Sequence, residues 1–307
     1  MARALKDENA VAAWRSSFAE ELRVVAGMIS PALINAFARV PRERFVGEPP
    51  WYYAAGIDLR NRGAYCQTSS VQDLYHDVVV ALKLEERLNT AQPSVMARLL
   101  EALDLEPGQR VLHIGCGTGY YSAILAEAVG RTGSVVSVEV DPELARQAMK
   151  NLKDYPSLRV LLQDGALLEA DSFDRILMNA SVTTLPQNWL RSLPAGGILV
   201  APFIVGREPE SRESIALRFV RKKERFAAEP VTTLAIFPCS SLRLPAMQEQ
   251  LADGVRSRQM LQLKSLRMNA HQRTESCIVH GEQMCLSEEP AEGQEAAIDG
   301  KRTENCT

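Results

Sequence analysis

No stretch of the 307-residue chain reaches the roughly 18 uninterrupted apolar residues that a membrane span needs. The N-terminal run MARALKDENAVAAW has no apolar segment of the kind a secretion signal carries. Charge of one sign is also scarce. A formal net charge of −3 gives no field for gripping nucleic acid or an anionic membrane, so neither partner is expected. The six cysteines, at 66, 116, 239, 277, 285 and 306, contain no CxxC pair, which fits a reduced, cytoplasmic protein better than a disulfide framework. Cys277, His280 and Cys285, with His271 nearby, come closest to a metal spacing. Their polar flanks and the missing CxxC read as incidental thiols in a flexible tail, and no metal is expected.

With 46% hydrophobic and 24% charged residues, the chain has the balance of an ordinary globular protein and the length to bury a core. Val11, Trp14, Phe18, Leu22 and Val25 mark an amphipathic helix over residues 8–28. Ser30-Pro31 opens a second helix to about Arg39. Residues 46–90 read as irregular, apart from an apolar run at Val78–Leu82, and Gln92-Pro93 opens a helix through Leu103. From residue 110, strands at Arg110–Ile114, Ser134–Val138, Arg159–Leu162, Arg175–Met178 and Ile198–Ala201 alternate with helical stretches. That alternation implies an α/β fold with a mostly parallel sheet. Ser214–Val220 and Val231–Phe237 read as an antiparallel hairpin on the sheet edge. A helix is expected over 245–266, and disorder over the Glu-, Gln-, Ser- and Thr-rich residues 267–307. Three regions follow: 1–90, helical with a substrate loop; 91–243, a Rossmann-like core; and 244–307, a helix and tail.

The strand VLHI runs straight into Gly115-Cys116-Gly117-Thr118-Gly119, and a helix follows from Tyr120. Glycines at a strand-to-helix turn let the backbone approach a ligand closely. A nicotinamide cofactor would need GxGxxG, but the third position holds the bulky Tyr120, and no GxxxxGK[ST] phosphate loop occurs. Glu139, with Val140 beside it, ends the second strand, where a carboxylate accepts hydrogen bonds from a ribose diol. Gln163-Asp164-Gly165 ends the third strand, where an acid can take an adenine amino group. Asn179 ends the fourth, where methyl donor and acceptor would meet. This order of features is the pattern of an S-adenosyl-L-methionine site. The expected cofactor residues are His113, Gly115, Cys116, Gly117, Gly119, Tyr120, Glu139, Val140, Asp164, Gly165 and Asn179.

Over about residues 20–240 the chain resembles the protein-L-isoaspartate O-methyltransferase family. The segments that carry the resemblance are VPRERFV (Val40–Val46), QPSVMARLLEALDLEPGQRVLHIGCGTGYYSAILA, FDRILMNAS (Phe173–Ser181), LPAGGILVAPF (Leu193–Phe203) and the hairpin ending in LAIFP. The resemblance implies a Rossmann-like methyltransferase fold and esterification of an aspartyl or isoaspartyl carboxylate in a protein or peptide. Two positions depart from the family pattern. His113 stands where an acid is usual. Ala91 stands two positions before Pro93, where the family carries a hydroxyl residue in the loop that holds the substrate carboxylate. Thr90 or Asn89 is the expected substitute, with Thr90 and Asn179 as the catalytic candidates. The alternatives are a methyltransferase-like module that binds the cofactor without repair activity, and an enzyme acting on another acceptor, such as a peptide natural product. Methylation of a nucleic-acid nitrogen is disfavoured, because residues 179–182 read Asn-Ala-Ser-Val rather than Asn/Asp-Pro-Pro-Tyr.

Overall fold

Val11, Phe18, Leu22 and Ala26 recur at helical spacing and form the buried face of α1 (Glu8–Ala26). In α2 (Pro31–Arg39), Ser30 Oγ accepts the Leu33 N–H at 3.4 Å. Pro31 sits in the first turn, where its missing donor leaves no bond unmade. The computed structural model describes residues 8–55, 65–169, 172–208, 210–223, 225–268 and 270–291.

The stretch expected to be irregular forms a four-stranded antiparallel sheet instead. Its strands are β1 (Trp51–Ala55), β2 (Cys66–Thr68), β3 (Val78–Lys83) and β4 (Leu88–Asn89), in the order β2-β1-β3-β4. All but β3 are five residues or shorter, too brief for an alternating period to show in sequence, and they are held by one another's hydrogen bonds.

After α3 (Pro93–Glu101) the chain enters strand–helix units: β5 (Arg110–Ile114), α4 (Tyr120–Val129), β6 (Ser134–Glu139), α5 (Pro142–Asn151), β7 (Leu158–Leu162), β8 (Arg175–Met178), α6 (Gln187–Ser192) and β9 (Ile198–Ile204). These five strands run parallel in the order β7-β6-β5-β8-β9. The chain winds outward from β5 to β7 and then returns to the far side of β5 as β8. That reversal leaves a crevice at the carboxyl ends of β5 and β8, the place where such sheets bind ligands. The antiparallel hairpin of β10 (Glu213–Lys222) and β11 (Arg225–Ala235) adds to β9.

The hairpin is not the last element of the sheet. After α7 (Pro245–Arg256) come β12 (Ser265–Arg267), β13 (Cys277–His280) and β14 (Cys285–Ser287). They extend the sheet past β11 in the order β11-β12-β14-β13, all antiparallel. The expected disorder from 267 is thus replaced by strands as far as Ser287, and the expected helix over 245–266 ends at Arg256. The polar composition misled because exposed residues alternate with a buried apolar set. Leu266, Ile278, Val279 and Leu286 are buried. The disorder expected over 292–307 falls outside the described residues.

The sheet carries a core on each face. One gathers α1, α2, α3 and α4 around Phe18, Phe37 and Leu99. The other gathers Ile176, Trp189 and Phe219 with Leu251, Leu266 and Leu286 of the C-terminal segment. No helix among the described residues is long and apolar enough to cross a membrane. The second core predicts a cost. Leu286→Ala, at a fully buried position, should lower stability by about 2–4 kcal/mol in urea unfolding; an unchanged midpoint would show that the segment does not pack on the sheet.

Candidate functional site

At the end of β5 the backbone breaks sharply, because Gly115, Gly117 and Gly119 all take positive φ. At Gly119 (φ +97°) a Cβ would also lie 2.6 Å from Leu152 Cδ1. A Cβ at Gly117 would meet nothing closer than Leu82 Cδ1 at 3.9 Å, so the loop leaves open space along its ligand-facing side.

The Glu139 carboxylate locks this loop. One oxygen accepts the Gly117 N–H at 2.7 Å, and the other accepts Val140 N–H at 2.9 Å and Asp141 N–H at 3.1 Å. Asn179, just past β8, ties in from the other side. Its N–H donates to Ile114 O at 2.8 Å and its Nδ2 to Gly115 O at 3.1 Å. Asn179 Oδ1 is buried and accepts no hydrogen bond, although its residue lines the crevice. Asp164 Oδ1 accepts from Ala166 N at 2.9 Å and Ser241 Oγ at 3.1 Å.

A cavity of about 870 Å³ opens over these groups. Of the residues expected to hold a cofactor, Gly115, Gly117, Glu139, Val140, Asp164, Gly165 and Asn179 line it. His113, Cys116, Gly119 and Tyr120 do not, and each has a physical reason. His113 points to the opposite face of β5, 2.8 Å from Ser122 Oγ, and is fully buried. The Cys116 side chain turns inward, and burial together with the Glu139 charge pushes its thiol up, so it stays protonated. Gly119 is the α4 cap beneath the loop. Tyr120 belongs to an aromatic cluster with Phe37, Phe45 and Tyr121.

Thr90 is also turned away. Its hydroxyl accepts from Val80 N at 3.1 Å and Arg42 Nη2 at 3.3 Å, so it cannot serve as the missing substrate-loop hydroxyl. Asn89, Ala91 and Gln92 line the cavity in its place. Ala91 sits at φ +58°, a left-handed backbone that strains a residue with a side chain. Two polar posts hold the loop there, Arg42 buried and Asp77 half-buried. Arg42, fully buried, donates to Leu74 O, His76 O and Val78 O. Asp77 accepts from Gln92 Nε2, Ser94 N and Ser94 Oγ at 2.6–2.8 Å. The cluster Trp51-Tyr52-Tyr53 does not line the cavity; Tyr65 does.

Sequence reasoning missed Arg87, Arg212, Thr233 and Ser241, which complete the lining. They come from a turn, the entrance to β10, β11 itself and the segment after it, and no local motif links them. The Arg212 guanidinium stacks 3.6 Å over the Phe237 ring. Burial first, and then the neighbouring Arg87 charge, hold its pKa below the usual arginine value.

His113 generates a pH prediction. Burial lowers its pKa from 6.5 to about 3, so the folded ring is neutral while the unfolded ring takes a proton below 6.5. Stability therefore falls as pH drops through that window, by about 2 kcal/mol between about pH 7 and pH 5. His113→Leu, similar in volume, should flatten the dependence in denaturant titrations at the two pH values; an unchanged slope would mean that His113 does not contribute to it.

The model of the protein-L-isoaspartate(D-aspartate) O-methyltransferase family matches residues 54–240. Protein-L-isoaspartate O-methyltransferase 2 of Rhodopseudomonas palustris (strain HaA2) is 34% identical over 229 residues, which are 73% of this chain and 90% of that one. Protein-L-isoaspartate O-methyltransferase 1 of Archaeoglobus fulgidus is 33% identical over 231 residues, 71% of this chain and 96% of that one. A solved protein-L-isoaspartate O-methyltransferase superposes with a TM-score of 0.62 at 24% identity, over 83% of this chain and 72% of that chain. A putative protein-L-isoaspartate O-methyltransferase from Plasmodium falciparum, in complex with S-adenosyl-L-homocysteine, gives 0.56 at 17% identity, over 73% and 97%. These two structures speak for the fold; the family match and the sequence relatives speak for descent. The chain belongs to the protein-L-isoaspartate(D-aspartate) O-methyltransferase family.

Proposed function

We propose that the chain methylates an isoaspartyl carboxylate of a damaged protein or peptide, with S-adenosyl-L-methionine as donor. The observation that carries this reading is one cavity that joins the Gly115–Asn179 floor to two arginines outside any ion pair among the described residues. The floor suits the donor: Glu139 and Asp164 offer carboxylates to a nucleoside, Gly115 and Gly117 offer a close backbone, and Asn179 Oδ1 offers an acceptor for an amino group. The bound donor supplies a methyl group already activated on a sulfonium.

Everything else falls to the protein. A carboxylate is ionised near neutral pH and needs no general base, so the chain's task is to position it and exclude water. Arg87 and Arg212 place two like charges beside the cavity, a costly arrangement that an anionic acceptor relieves. Together they take over the holding of the carboxylate that Ala91 cannot perform. Thr233 and Ser241 add hydroxyls on the same wall. A cytoplasmic location suits this chemistry, and the five described cysteines are all unpaired.

Ala91 favours a second reading, in which the acceptor is another aspartyl-type carboxylate in a peptide. Transfer of labelled methyl to matched peptides separates the two. Base-labile label on the isoaspartyl peptide alone is the expected result. Label on the ordinary aspartyl peptide instead, with S-adenosylhomocysteine binding intact, would favour the second reading. Arg212→Leu should lower kcat/KM about tenfold or more and leave affinity for S-adenosylhomocysteine unchanged; a matching loss of that affinity would assign Arg212 to the cofactor side. Glu139→Gln, which cannot accept on both oxygens, should weaken S-adenosylhomocysteine binding about tenfold in calorimetry. Unaltered affinity would remove Glu139 from the cofactor site.

A further inference from the structure

The segment after residue 240 lies outside the family match, yet it packs four metal-ligating side chains together. His271, Cys277, His280 and Cys285 each offer a ligand atom, and those atoms all lie within 4.8 Å of one another. We infer that His271, Cys277, His280 and Cys285 form a structural zinc site that ties the loop at His271 to the C-terminal hairpin.

The hairpin's register explains how residues without a CxxC pair converge. Cys277 lies opposite Ser287, Val279 opposite Leu286, and His280 opposite Cys285. Ile278 is therefore an extra residue, a β-bulge. In a regular strand, residues three apart face opposite ways. The bulge resets that alternation and turns Cys277 and His280 to one face, which Cys285 shares across the ladder. His271 arrives from the preceding loop. Its Nε2 lies 3.5 Å from Cys277 Sγ, and its ring stands 4.8 Å, edge to face, from that of His280.

Donor chemistry and spacing both select the ion. Two sulfurs and two imidazoles in a tetrahedron suit zinc. Bonds of about 2.0–2.3 Å would separate the ligands by about 3.3–3.8 Å. The His271–Cys277 pair already meets that spacing, and the wider pairs need shifts of only about 1 Å. A second observation points the same way. His280 Nδ1 is buried and makes no hydrogen bond, a cost that a ligand would remove.

The surroundings resemble the supporting shell of a metal centre. Thr274 N donates to Cys277 Sγ at 3.3 Å. The Gln250 side chain of α7 clamps the His280 backbone, accepting from its N–H at 2.9 Å and donating to its carbonyl at 3.1 Å. Helix and hairpin also approach closely: a Cβ on Gly254 would lie 2.8 Å from Ile278 Cγ2. With four protein ligands the site has no open position, which makes it structural rather than catalytic. On binding, each cysteine thiol gives its proton to solvent as its Zn–S bond forms.

The test uses the full chain, purified under reducing conditions, with zinc measured by mass spectrometry of the metal. The expected ratio is near one zinc per chain, falling to near zero in Cys277→Ser and Cys285→Ser. Cobalt exchanged into the unaltered chain should give the visible bands of a tetrahedral thiolate complex, a readout independent of whether the variants fold. A chain that takes up neither zinc nor cobalt while its thiols titrate as free would overturn the site. So would a Cys277–Cys285 disulfide in the reduced preparation. Neither result bears on the methyl-transfer reading, because β12, β11, β10 and β9 separate the hairpin from the donor floor at β8 and β5.

Discussion

A single carboxylate holds the working end of this molecule in shape. Glu139 gathers the N–H groups of Gly117, Val140 and Asp141, and so ties the carboxyl end of β6 to the turn that leaves β5. The three glycines in that turn have left-handed backbones that only a fixed set of acceptors keeps in place. Asn179 braces the same turn from β8. The floor of the cavity is thus a joint product of three parallel strands, and the remaining walls are arranged around it.

The substrate side is built differently. It rests on polar groups behind the lining rather than on the lining itself. Arg42 spends its guanidinium on carbonyls of the 74–78 stretch and on the Thr90 hydroxyl. Asp77 fastens the start of α3 through Gln92 and Ser94. Removing the partners of Arg42 would leave a buried charge unpaired, which is more costly than the loss of a surface pair. Ala91 is held in its strained backbone between these posts. Ala91 offers no hydroxyl to the cavity, whose lining includes the cationic side chains of Arg87 and Arg212.

The two faces of the sheet divide the chain's ends between them. The N-terminal helices cover one face, and the segment from α7 onward covers the other. That second cover is linked to the site: Ser241, at the start of the segment, donates to Asp164 on the cavity floor.

The sequence by itself determined the parallel strands, the helices between them and the floor of the site. Those features are local: glycines at a strand end, an acid at the next strand end, and apolar runs long enough to show a period. It also carried the family resemblance, whose motifs lie on these same segments. Tertiary structure alone decided the rest. Whether His113 and Tyr120 face the cavity or the core depends on which side of β5 and α4 is covered, and α2 and the aromatic cluster cover theirs. Thr90 lost its expected role because a residue 48 positions away claims its oxygen. Arg87 and Arg212 meet only because the β3–β4 turn folds over the entrance to β10. In the tail, short strands and a bulge hid their pattern, so composition suggested disorder where non-local hydrogen bonds produce a sheet. Local signals survive in sequence, whereas contacts between distant segments exist only once the chain has closed on itself.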